Sequence, residues 1–174
     1  AEFEQAVRRG IEVRAQRGLD GVRLSLLTNA TLFHRSAVAD GLGVLREAGG
    51  EVWAKLDAGT ESWFHRVDGT SFPFQRVLDN IAAAARTEPV VIQSMFHTFD
   101  GEGPSDEEVA AWSERLQWIL DEGGAIAHVQ VYSVARRPAG DTVGCLPVDR
   151  LEWIAERARE RGLDVAVYPG VDWT

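Results

Sequence analysis

Lys55 and Asp57 stand two residues apart in the run EVWAKLDA, Glu51–Ala58. If this run is a strand, both side chains project from one face, with Trp53 one step behind them. A lysine on an inward face must be paired, because an isolated buried charge costs several kcal/mol or is neutralised. Asp57 or a carboxylate on a ligand is the natural partner. Similar polar endings close three other apolar runs: Thr28-Asn29 after LSLL, Gln93, Ser94 and His97 in VVIQSMFH, and Tyr132, Ser133 and Arg136 after HVQV. Polar groups collected at the ends of buried runs fit ligand binding or general acid–base work, because core positions otherwise exclude them.

Each of these residues also has a structural reading. Asn29 fits an Asx-turn as well as a ligand contact, and Arg136-Arg137 fits a solvated pair as well as an anion site. Lys55 and Asp57 form a structural ion pair in the alternative, and His97 reads as a hydrogen-bonded strand-end histidine. His34, His65 and His128 lack metal-ligand spacing, and no HExxH, Cys-His cluster or EF-hand loop occurs, so no metal ligand is assigned. Gly41-Leu42-Gly43 lies in a helical stretch and is not a dinucleotide fingerprint; no GxxxxGK and no GxSxG are present. Trp63, Trp112, Trp118 and Trp153 fall at helical positions and read as packing.

The elements that must hold these residues alternate. The spacing predicts a helix from the first residues to Gly18, then strands over Val22–Thr28, Val52–Asp57, Val90–His97, Ala127–Val134 and Asp164–Tyr168. Helices are predicted over Ser36–Ala48, Thr60–Val67, Pro73–Arg86, Ser105 to Glu122, and Val148–Arg161. Strands that are apolar along nearly their whole length and alternate with helices imply a parallel sheet, either a complete or partial (βα) barrel or a doubly wound sheet. In both, ligands gather at the carboxyl ends of the strands.

Composition bounds the partners. The 174 residues suit one domain with a sizeable core, and a formal net charge of -9 opposes a phosphate backbone. No apolar stretch approaches the roughly 20 residues of a membrane span, so a soluble cytoplasmic setting is the expectation. Cys145 is the single cysteine, cannot form an internal disulfide, and reads as a plain thiol in a Gly/Pro-flanked loop.

The ordered runs LSLLTNAT, VWAKLDAGTESWFHRVDG, PFQRVLDNI, VVIQSMF and HVQVYSVARRPAG resemble the later two-thirds of a radical S-adenosylmethionine (radical SAM) enzyme. They resemble in particular the Fe–S oxidoreductases related to tRNA wybutosine synthases. The resemblance implies an α/β fold that is a partial (βα) TIM-like barrel, with parallel strands, outer helices and the first two βα units missing. The four strands from Val22 to Val134 would match the family's third to sixth, and the opening helix the one after its second.

The family's cofactors are S-adenosylmethionine and a [4Fe–4S] cluster held by a CxxxCxxC loop after the first strand. Carried over by position, the cofactor-side residues are Asn29, Lys55, Asp57, Gln93, Ser94, Tyr132 and Arg136. Lys55 or Arg136 would suit the methionyl carboxylate, Asp57 and Ser94 the ribose hydroxyls or amino group, and backbone after Tyr132 the adenine edge. No catalytic residue is assigned.

Two departures stand out. The family's TNG is Thr28-Asn29-Ala30 here, which predicts a turn with more ordinary dihedrals. Cys145 cannot replace three thiolates, so this stretch alone is expected to be inactive, as the later part of a larger enzyme. The rivals are a cluster-less degenerate barrel kept as a binding or scaffolding module, and an aldolase-like enzyme with Lys55 as a Schiff-base amine. An exposed edge on the first strand predicts marginal stability or self-association.

Overall fold

The computed structural model describes residues 2–138 and 142–171. Its helices are α1 (Glu2–Gln16), α2 (Ser36–Glu47), α3 (Glu61–Val67), α4 (Phe74–Thr87), α5 (Asp106–Asp121) and α6 (Val148–Arg159). Its strands are β1 (Ser25–Thr28), β2 (Glu51–Lys55), β3 (Val90–Met95), β4 (His97–Phe99), β5 (Ile126–Tyr132), β6 (Val143–Cys145) and β7 (Val165–Tyr168). The helices start and stop on local signals. Thr60 accepts from the Trp63 N–H at the start of α3 and Ser105 from the Glu108 N–H at the start of α5, while Gly18 at φ 62° follows the end of α1.

Five strands form one parallel sheet in the order β1-β2-β3-β5-β7. The order never reverses. Right-handed crossovers between strands laid down in one direction put every connecting helix on the same side, the winding of a (βα) barrel and not of a doubly wound sheet. Burial agrees with that geometry. Ala54, Leu56, Ile92, Phe96, Val129 and Val131 are buried in one core with Trp112, Leu116 and Ile119 of α5 and Leu151 and Ile154 of α6. The alternate residues Leu27, Trp53, Lys55, Gln93, Met95, Gln130, Tyr132 and Tyr168 lie on the other face and keep contact with solvent. That face is the inner wall of a partial barrel.

Several sequence expectations need correction. The predicted strand Val90–His97 is two elements: β3 ends at Met95, Phe96 turns into the core, and β4 pairs antiparallel with β6 as a small ribbon. The run VVIQSMFH has no glycine or proline to signal such a turn. Cys145 therefore sits in the ribbon, not in a loop, where its Sγ donates to the Val171 carbonyl at 3.0 Å. The first strand is shorter than predicted, Ser25–Thr28 in place of Val22–Thr28. Its free side has no partner strand among the described residues.

Candidate functional site

The LDAGT turn, Leu56–Thr60, carries the carboxyl end of β2, and its conformation is fixed from outside. Gly59 permits the close approach: a Cβ there would lie 2.1 Å from the Trp112 backbone nitrogen. Trp112 Nε1 donates to the Leu56 carbonyl at 3.1 Å and to Ser94 Oγ at 3.0 Å, and Ser94 Oγ donates to the same carbonyl at 2.6 Å. Held this way, Asp57 points to the inner wall. Its Oδ1 accepts from the Met95 N–H at 2.8 Å, which bridges β2 to β3, and its Oδ2 pairs with Lys55 Nζ at 2.9 Å. The Asp57 side chain is 2% exposed and Lys55 29%, so the lysine bridges the pair to solvent.

Around this pair lie Asp68, His97 and Tyr132, each of which feels both charges. Burial works to lower the Lys55 pKa, but the Asp57 carboxylate outweighs it and holds the ammonium above its ordinary value. Burial and then the Asp57 and Asp68 carboxylates push the Tyr132 phenol up to about 12, with Lys55 opposing, so it is a neutral donor and acceptor at pH 7. His97 is lowered, first by burial, and is a neutral imidazole at that pH. Asp68, in the turn after α3, is pushed up to about 6, first by loss of water around its carboxyl and then by Asp57.

Below this group the wall is amide-rich. Lys55, Gln93 and Gln130 stand side by side in register, and Gln93 Nε2 donates to Gln130 Oε1 at 3.1 Å. Met95, Tyr132 and Tyr168 form the next row up. The arrangement offers one ion pair, a neutral phenol and amides to a polar ligand of mixed charge, while the neutral imidazole of His97 is buried against Phe99.

The structure thus brings Lys55, Asp57, Gln93 and Tyr132 onto one wall and leaves three other sequence candidates apart from them. Ser94 is on the opposite face, fully buried beneath α5. The one-residue change of face within a strand separates it from Gln93. Asn29 Oδ1 accepts from the Thr31 N–H at 3.3 Å and the Thr31 hydroxyl at 2.9 Å, the Asx-turn reading. Arg136 is exposed beyond the end of β5. Asp68 and Gln130 are additions, and His97, read from the sequence as a strand-end histidine, joins them; Asp68 sits in an Asp-Gly turn whose sequence signals only chain reversal.

The Thr28-Asn29-Ala30 turn also corrects an expectation. Ala30 adopts φ 58°, the left-handed geometry a glycine would take, and is fully buried. Asn80 Nδ2 donates to the Ala30 carbonyl at 2.7 Å, and the Ala30 N–H donates to Thr28 Oγ1 at 3.1 Å. Tertiary bonds and methyl burial outweigh about 1–2 kcal/mol of left-handed strain.

A cavity of about 240 Å³ lies elsewhere, between α2 and α4 on the helix side, lined by such residues as Phe33, Leu42, Leu45 and Val90. The Asp57 group is no part of its lining.

No protein-family model and no curated protein matches the chain. Solved structures do. A domain of pyruvate-formate lyase-activating enzyme from Bacteroides vulgatus ATCC 8482 superposes with TM-score 0.64 over 96% of this chain and 94% of that one, at 13% identity. The chain has that fold. A radical SAM methyltransferase from Sphaerobacter thermophilus matches with TM-score 0.55 and 16% identity over 83% of this chain, which spans 40% of that one. At these identities the likeness to both proteins is one of fold.

Proposed function

We propose that the chain forms part of the barrel of a radical SAM enzyme, akin to the Fe–S oxidoreductases related to wybutosine synthases, and that its inner wall binds S-adenosylmethionine. One observation carries the reading. The ion pair Lys55–Asp57, with Tyr132, His97 and Asp68 around it, sits at the carboxyl ends of the strands, on the sheet face opposite the helix-packed core, where barrels of this winding bind ligands.

The chemistry of the wall suits that ligand. Lys55 and Asp57 present both signs of charge to a zwitterionic amino-acid head. Tyr132, kept neutral, donates one hydrogen bond and accepts others, and Gln93 and Gln130 offer an amide oxygen and an amide N–H₂ to hydroxyls or a base edge. The residues do not fit a [4Fe–4S] cluster. The sequence has one cysteine, and the described residues contain no group of three His, Cys, Asp or Glu able to hold a metal. In this proposal cluster ligands come from other residues, and no step through the cluster is assigned to these.

The same lack of cluster ligands favours a second reading, a cluster-less degenerate barrel that serves as a scaffold or as a binding module for something other than S-adenosylmethionine. The Schiff-base alternative fares worse: Asp57 keeps Lys55 protonated, whereas imine formation needs the free amine. Calorimetric titration with S-adenosylhomocysteine separates the first two. The proposal expects saturable binding that weakens about tenfold, or about 1.4 kcal/mol, in Tyr132→Phe or Lys55→Met. A folded chain that gives no binding heat and no other sign of binding supports the second.

A further inference from the structure

The carboxylate of Glu108 is a buried group that nothing in the proposed ligand chemistry uses. It lies in the first turn of α5, in a Ser105/Glu108 pattern that predicts a bond back to the helix's own start. Instead it crosses to the β2 turn. Glu108 Oε1 accepts from the Gly59 and Thr60 backbone N–H groups, the latter at 3.2 Å, and Oε2 from the Thr60 hydroxyl at 2.6 Å. The Arg115 guanidinium donates to the Gly59 carbonyl at 2.9 Å from the same helix.

Glu108, Trp112 and Arg115 are spaced four and three apart and share one face of α5. Together they satisfy the backbone of Leu56, Gly59 and Thr60, about 50 residues earlier in the chain. Asp57 sits between these anchor points. Its backbone can leave its place only if α5 releases the turn, and α5 is itself tied to α6 through Ser113 Oγ, which donates to the Arg157 carbonyl at 2.9 Å.

We infer that Glu108 is a positioning residue: its clamp on Gly59 and Thr60 sets where the Asp57 carboxylate stands on the inner wall. A glutamate suits the task because three donors converge on it and a carboxylate only accepts. Loss of the clamp leaves one buried and one part-buried backbone donor without an acceptor and lets Asp57 drift from Lys55, Asp68 and Tyr132.

The midpoint of Asp68, followed by carboxyl ¹³C NMR between pH 3.5 and 7.5, reports that drift, because Asp57 is one of the charges that hold it up. In Glu108→Ala it should fall by about one pH unit, a tenfold change in proton affinity. Glu108→Gln keeps an acceptor for the two N–H groups, and its amide can donate to the Thr60 hydroxyl, so the midpoint should return to near the parent value. Ser113→Ala, which weakens α5 without touching the turn, should leave the midpoint in place. If Glu108→Ala does not fold, Arg115→Met tests the same clamp and should move the midpoint in the same direction by a smaller amount. An unchanged midpoint in the folded clamp variants, or an equal drop in Ser113→Ala, overturns the inference. The clamp does not depend on the ligand: absent S-adenosylhomocysteine binding with a responsive Asp68 refutes the proposed function and leaves the positioning role intact.

Discussion

Replacing Asp68 by Asn should stabilise the protein at neutral pH and do little in acid. Asp68 is exposed as a residue, yet the protein around its carboxyl and the Asp57 carboxylate raise it from an ordinary 3.8 to about 6. A raised acid is one whose charged form folding disfavours. Below pH 3.8 both folded and unfolded states hold the proton and the cost vanishes; it grows between 3.8 and 6 and is complete above 6. At about 1.4 kcal/mol per pH unit, the interval corresponds to roughly 3 kcal/mol. Solvent access to Asp68 screens this to on the order of 1 kcal/mol. Urea denaturation of the parent and Asp68→Asn should therefore give a variant more stable by about 1 kcal/mol at pH 7.5, with the difference closing to within about 0.3 kcal/mol at pH 3.5. A destabilised variant at pH 7.5, or the same difference at both pH values, would refute the electrostatic reasoning. A group that costs stability at the carboxyl end of a barrel fits the binding role proposed for this wall.

Other outcomes follow from the same contacts. Lys55→Met leaves Asp57 buried with only the Met95 N–H, and should cost about 3 kcal/mol, whereas the double variant Lys55→Met, Asp57→Asn should cost less than the single one; denaturant midpoints check both. Trp112→Phe removes the N–H donor to Leu56 and Ser94 and leaves a cavity where the larger indole was fully buried, and should cost at least about 2 kcal/mol in the same assay. Ala30→Val places a β-branched residue at φ 58° in a fully buried position and should lower stability by more than about 2 kcal/mol, while Ala30→Gly, trading strain relief against a lost methyl, should stay within about 1 kcal/mol. Borohydride with a carbonyl compound should leave Lys55 unmodified by mass spectrometry at pH 7, because Asp57 holds its proton.

The alternation of apolar runs and helical periods was enough to read a parallel α/β sheet and the succession of its main strands along the chain. Their order within the sheet, β1-β2-β3-β5-β7, depends on crossovers and not on any one strand's pattern, so periodicity left the closure open and only the resemblance to radical SAM enzymes implied a partial barrel. The same-face logic placed Trp53, Lys55 and Asp57 correctly, since a period of two needs only a short unbroken strand. It could not say which face of β3 turns inward, so Gln93 and Ser94 were equivalent in sequence although one faces the wall and the other α5. Asp68, His97 and the Glu108 clamp are matters of tertiary approach: a turn aspartate, a strand-end histidine and a helix-start glutamate look ordinary until distant elements converge on them.

The inner wall at the carboxyl ends of the strands is proposed as a ligand site for S-adenosylmethionine-type molecules. Amide chemical-shift mapping with S-adenosylhomocysteine tests it most directly. Saturable shifts concentrated at residues 55–57, 68, 93–97 and 130–132 are expected. Saturating shifts confined to the groove between α2 and α4, or none at millimolar ligand, would contradict it.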